Sequence, residues 1–116
     1  MQQIIVADSS KSNILKVQYE LDKEFVIYPA RTEEWMLKVL RQKDIELLVM
    51  GDGLSSNNCP EDMVRKIRSN LKYKNLPVVY LTKENIGHVT NNDLVIQLPC
   101  EDGVISKEIK KFNFRG

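Results

Sequence analysis

Three polar residues with chemical potential stand at, or within two residues of, the ends of short apolar runs: Asp8, Asp52 and Thr82. If these runs are parallel strands, their carboxyl ends meet at one edge of a sheet, where open α/β proteins bind ligands. Two carboxylates and a hydroxyl would supply hydrogen-bonding groups to a ligand there. Each residue also has a simpler possible role, Asp8 and Thr82 in capping or turns and Asp52 in a turn with Gly51.

The histidine and the two cysteines suggest no further chemistry. His88 has no triad or metal partners in the sequence, so we expect a surface or loop role. Cys59 and Cys100 lie far apart and outside any metal-binding spacing. We therefore expect free thiols in a cytoplasmic protein.

The composition is typical of one small folded domain. Of the 116 residues, 42% are hydrophobic, which is enough for one core and too many for a disordered chain. With 17 basic and 16 acidic residues, the net charge of +1 disfavours a nucleic-acid-binding surface. No apolar run has the length of a membrane span, and the N-terminus lacks the basic flank of a signal peptide. We expect a single domain over residues 1–116, with neither nucleic acid nor membrane as a partner.

Five apolar runs alternate with amphipathic stretches along the chain. The runs read as strands, and the first, which is β-branched, reads as a strand buried on both faces, as in a parallel sheet. The spacing of Ile14, Val17 and Leu21 is typical of one face of a helix. This alternation predicts a parallel sheet covered on both faces, a three-layer αβα architecture with right-handed crossovers. The predicted strands are 4–7, 25–28 (ended by Pro29), 45–50, 76–81 and 94–98.

Capping residues mark the predicted helix starts. Thr32 is a suitable N-cap, and Pro60 suits the first position of the third helix. We expect the third helix to bury Leu71, and the last helix, from about residue 102 or 103, to bury Phe112. Between the fourth and fifth strands only residues 82–93 remain, about the minimum for a parallel crossover. The fourth helix is therefore predicted to be short, frayed or absent.

From Ile4 to about Lys111, the chain resembles the receiver domains of two-component response regulators. Three segments carry the resemblance: Ile5-Val6-Ala7-Asp8, Pro77-Val78-Val79-Tyr80-Leu81-Thr82, and the run from Leu94 to Pro99. Their order and spacing are similar to the first, fourth and fifth strands of that family. The resemblance implies a flavodoxin-like (βα)5 fold with strand order 2-1-3-4-5.

The resemblance also implies a site, which this sequence keeps only in part. The family has two acids after the first strand for Mg²⁺, an acceptor Asp after the third strand, a sensing hydroxyl, and a Lys before the last proline. Asp8 matches an acid, Ser9 stands where the second acid is usual, and Thr82 matches the hydroxyl. Leu98 occupies the lysine position, so the cation that would pair with phosphoryl oxygens is lost.

The acceptor position has two possible occupants. Alignment from the second helix places Gly51 there, whereas counting back from the third helix places Asp52 there. A one-residue shift reverses the face of a strand residue, although a glycine bulge at the strand end can restore it. The sequence leaves both alternatives open.

The resemblance favours a degenerate receiver-like module that binds a protein partner, such as a kinase or an output domain, and is not an enzyme. The alternative is a working phosphoacceptor that uses Asp52, with Asp8 and Asp52 weakly binding Mg²⁺. A third class is a flavin or nucleotide binder, since the serine-rich segment 8–13 would lie at a helix N-terminus. That segment contains no glycine and matches no phosphate-binding motif.

Overall fold

The computed structural model describes residues 1–54, 59–84, 86, 89–90 and 92–112. All neighbouring strands of its single five-stranded sheet are parallel, in the order β2-β1-β3-β4-β5. The predicted strand order is thereby confirmed, and β1 and β3, on either side of the switch in strand order, are neighbours. The strands are β1 (Gln2–Ala7), β2 (Phe25–Ala30), β3 (Leu47–Gly51), β4 (Val78–Thr82) and β5 (Asp93–Gln97).

The first three helices begin at residues that suit a helix N-terminus. Ser10 and Thr32 accept hydrogen bonds from the backbone of the first turns of α1 and α2, and Pro60 is the first residue of α3. Within the described residues, no helix has both the length and the apolar character needed to cross a membrane. The helices are α1 (Lys11–Leu21), α2 (Glu33–Gln42), α3 (Pro60–Arg68) and α4 (Val104–Lys111), with a 3₁₀ turn at Leu71–Tyr73.

The core forms two layers, one on each face of the sheet. On one face α1 and α4 bury residues such as Val17 and Ile109 against the strands. On the other face α2 and α3 bury residues such as Met36 and Val64. Because β1, β3 and β4 are covered on both sides, their residues are apolar on both faces. The three-layer, flavodoxin-like prediction is confirmed.

Several predicted boundaries were wrong. Pro29 does not end β2 but lies within it, paired in register with Val6; β2 is an edge strand, where the missing N–H of proline is tolerated. Pro77 lies before β4, not in it. Leu71 is 86% exposed, because α3 ends at Arg68 and the chain then turns.

The connection from β4 to β5 contains no helix within its described residues, in agreement with the predicted loss of the fourth helix. His88 lies outside the described residues. The start of β5 is held by α3: Arg68 donates to the side chain of Asp93 at 2.6 Å and to the carbonyl oxygen of Leu76. These hydrogen bonds of Arg68 hold β5 at its amino end. The carboxyl ends of the strands lie at the opposite edge of the sheet and remain available for a site.

Candidate functional site

Asp8 is the buried acid at the carboxyl edge of the sheet. It follows β1 directly and is 2% exposed. One carboxylate oxygen accepts the backbone N–H of Ser10 at 2.8 Å, and the other accepts the side-chain amide of Asn13 at 3.1 Å. Asp8 therefore bonds to the loop and to the first turn of α1, while Ser10 is the actual N-cap.

Gly51 ends β3 beside this carboxylate. It pairs with Leu81 of β4, and a Cβ atom on Gly51 would overlap with the carboxylate of Asp8. Glycine is therefore required if Asp8 is to keep its present position. The strand residue that faces the buried acid consequently has no side chain of its own.

Asp52 lies one residue beyond the end of β3 and is partly buried. One of its carboxylate oxygens accepts the backbone N–H of Lys83 at 3.0 Å. The Asp52 side chain thus reaches across to the segment that follows β4. Of the two candidate acceptor positions, Gly51 faces Asp8 and Asp52 contacts the β4 segment.

Thr82 is the last residue of β4 and is 1% exposed. Its hydroxyl accepts the backbone N–H of Glu84 at 3.0 Å and lies 3.1 Å from the carbonyl oxygen of Glu84, to which it donates. Both hydrogen bonds are made within the local turn. Its position at the strand end is as expected from the sequence, but its hydroxyl is already engaged.

Leu98 follows β5, and its backbone N–H donates to the carbonyl oxygen of Thr82 at 2.8 Å. Its side chain packs against the apolar core between the sheet, α1 and α4. The Leu98–Pro99 peptide bond is cis. Leu98 therefore contributes apolar contacts where the resemblance implies a cation.

Four polar residues at this edge were not predicted from the sequence. Asn13 bonds to Asp8, and the side chain of Gln97 donates to the carbonyl oxygen of Lys83 at 2.9 Å. Arg31 donates to the carbonyl oxygen of Ser9, and Lys16 to that of Cys100. Only the position of Asn13, one turn into a helix that follows an acid, carried a sequence signal. The other three contacts depend on strand order.

Burial raises the pKa of Asp8 above its ordinary value of 3.8. The hydrogen bonds from Ser10 and Asn13 lower the pKa but do not cancel this effect, and the negative charge of Asp52 raises it further. The charge of Asp52 therefore makes ionisation of Asp8 less favourable. Among the described residues, Asp8 forms no salt bridge that would offset its burial.

These two carboxylates fit a tight Mg²⁺ site poorly. Three of their four oxygens already accept hydrogen bonds from the chain. In the described part of the chain, no group of three acidic, histidine or cysteine side chains is arranged to hold a metal ion. Mg²⁺ prefers near-octahedral oxygen coordination, so a tight site would need several waters and a rearranged Asp8.

The sequence matches no protein-family model and no curated protein. The structure is similar to that of chemotaxis protein CheY4 of Vibrio cholerae, with a TM-score of 0.82, 16% identity, and coverage of 97% of this chain and 98% of that chain. A two-component response regulator from Clostridium difficile has a TM-score of 0.78 and 21% identity over 99% of this chain and 98% of its own. For a response regulator from Thermotoga maritima the values are 0.75 and 21%, over 97% of both chains. This chain has the fold of the response-regulator receiver domains.

Proposed function

We propose that this chain is a receiver-like regulatory module of two-component signalling that binds a protein partner in the cytoplasm without efficient phosphorylation and without enzymatic turnover. The observation that carries the proposal is the close approach of Gly51 to the Asp8 carboxylate. The strand residue that faces the buried acid has no group to accept a phosphoryl group. The space that a side chain at Gly51 would need is occupied by the carboxylate of Asp8, which is bonded to Ser10 and Asn13.

The surroundings of the site support the same proposal. Phosphoryl transfer needs fixed positive charge or hydrogen-bond donors around the transferred group. Leu98 supplies neither, because its side chain packs into the core. Thr82 directs its hydroxyl to Glu84. A phosphoryl group at this edge would therefore lack the two partners that the resemblance implies.

A working phosphoacceptor that uses Asp52 is the second candidate. It is favoured by the negative charge of Asp52, which acts on Asp8 and contributes to its raised pKa. In this version Asp8 and Asp52 would hold Mg²⁺ weakly and Asp52 would take the phosphoryl group.

A flavin or nucleotide binder is less well supported. The backbone N–H groups of Ser10 and Asn13, at the start of α1, donate to the side chains of Asp8 and Ser10. An incoming phosphate would therefore compete with the chain's own acceptors at this helix terminus.

The test is an amide NMR titration with Mg²⁺ and then with beryllofluoride, which mimics a phosphoryl group. We expect no specific shifts around Asp8, Asp52 and Thr82, because the acceptor and its cation are missing. The control is Asp52→Asn under the same conditions. Shifts that occur in the wild type and vanish in the control would replace the proposal by the second candidate.

A further inference from the structure

The turn that follows β4 is held from two sides by side chains of neighbouring strands. This 82–84 turn consists of Thr82, Lys83 and Glu84. The backbone N–H of Lys83 donates to Asp52 at 3.0 Å, and the side chain of Gln97 donates to the carbonyl oxygen of Lys83 at 2.9 Å. Both backbone polar groups of one residue are thus bonded to side chains from the ends of β3 and β5.

The contact from Asp52 is the charged one of the two. A hydrogen bond from a backbone N–H to a carboxylate is in general stronger than one between neutral groups, although the two bonds here have similar lengths, 3.0 and 2.9 Å. Asp52 is able to make it because Gly51 ends the strand and the next residue is free to direct its side chain toward β4. A strand residue at that point would direct its side chain to one face of the sheet.

The contact between Lys83 and Asp52 is important because of where its donor, the backbone N–H of Lys83, lies. Lys83 directly follows Thr82, the residue that corresponds to the sensing hydroxyl, at the edge where an anionic ligand would meet the sheet. The carboxylate of Asp52 already accepts a hydrogen bond from this backbone N–H. The hydroxyl of Thr82, in the same turn, is bonded to the backbone of Glu84.

We propose that Asp52 is a positioning residue, a built-in anion that holds the 82–84 turn against the end of β5 in one fixed arrangement without phosphorylation. This inference rests on the proposed function, since it describes how a module without a phosphoryl switch keeps this turn in place. Gln97 couples the turn to β5, and the backbone bond from Leu98 to Thr82 closes the same connection at 2.8 Å.

The test is hydrogen exchange of individual amides by NMR on the full chain. Asp52→Ala removes the acceptor, and we expect the amide of Lys83 to exchange at least about tenfold faster, as for a lost stabilising hydrogen bond. Asp52→Asn keeps an acceptor without the charge and should give an intermediate rate. The amide signals of Gln97 and Leu98 should shift in Asp52→Ala, because the turn is no longer fixed against β5.

The matched control is Asp62→Ala, which removes an exposed carboxylate that pairs with Arg65 on α3. It should leave the Lys83 amide unchanged. An unchanged exchange rate at Lys83 in Asp52→Ala would overturn the inference, whatever beryllofluoride does. Faster exchange in Asp52→Ala, combined with a beryllofluoride response in the wild type, would support the holding contact but overturn its independence from phosphorylation and the proposed function.

Discussion

Two buried carboxylates lie at opposite ends of the sheet, and their surroundings differ. At the amino end of β5, the side chain of Asp93 is 2% exposed and lies 2.6 Å from the guanidinium of Arg68. At the carboxyl end of β1, Asp8 is also 2% exposed. Among the described residues, its hydrogen bonds come from neutral donors, the backbone of Ser10 and the side chain of Asn13.

The difference indicates a structural role for Asp93 and makes Asp8 a candidate site residue. The Asp93 charge is balanced by Arg68, and the pair ties α3 to β5 where no helix occurs in the described part of the crossover. Asp8 has no such cation among the described residues, and burial raises its pKa. A buried acid with a raised pKa and no paired cation, at the carboxyl edge of an open α/β sheet, is a candidate functional residue.

The largest effect is expected from breaking the structural pair. Arg68→Met leaves Asp93 buried without its cation, and we expect a loss of about 3 kcal/mol in the free energy of unfolding, measured by urea denaturation. The matched control is Arg65→Met on the same helix, which breaks a pair whose side chains are 72% and 57% exposed. That loss should stay below about 1 kcal/mol. Equal losses in the two variants would contradict a structural role for Arg68.

A smaller effect is expected at the site itself. Gly51→Ala would place a methyl group against the Asp8 carboxylate, and we expect a loss of about 1–3 kcal/mol, as for an overpacked core. Asp8→Ala should remove most of this penalty, so that the double variant shows a favourable coupling free energy in a double-mutant cycle.

The control for this cycle is Gly103→Ala. Gly103 has a positive φ of 89° and nothing within 4 Å of an added Cβ atom, so its penalty comes from backbone strain. Asp8→Ala should leave that penalty unchanged. Additive losses for Gly51→Ala and Asp8→Ala would show that the two residues do not compete for space.

The smallest effect is a pH dependence. Because the pKa of Asp8 is raised in the folded state, the folded protein binds this proton more tightly than the unfolded chain does. Its contribution to stability therefore falls as pH rises from about the ordinary value of 3.8 through the raised pKa, and then levels off. Asp8→Asn lacks this titration, so its stability relative to the wild type should increase with pH across that window, as measured by chemical denaturation.

Asn13→Ala should enlarge the same pH effect. The Asn13 amide lowers the pKa of Asp8, so its removal should extend the falling part of the wild-type profile to higher pH. A relative stability of Asp8→Asn that does not vary with pH would show that burial leaves the acid unperturbed.

Much of the fold followed from local sequence patterns. α2 starts at its predicted cap, Thr32, and α3 starts at Pro60, while the apolar spacing of α1 correctly identified Ile14, Val17 and Leu21 as buried. The errors came where tertiary position overrides a local rule. Pro29 fits within β2 only because that strand is at the edge of the sheet, and Leu71 is exposed because α3 ends before it.

By itself the sequence determined the alternation of strands and helices, the near-minimal connection before β5, and the presence of Asp8, Asp52, Thr82 and Leu98 at one edge. These properties depend on residue type and spacing, which act over a few residues. Only the tertiary structure decided that Gly51 faces Asp8 and that Asp52 bonds to the segment after β4. A one-residue shift reverses the direction of a side chain at a strand end, and contacts between strands depend on the order of the strands. Neither property is encoded in local spacing.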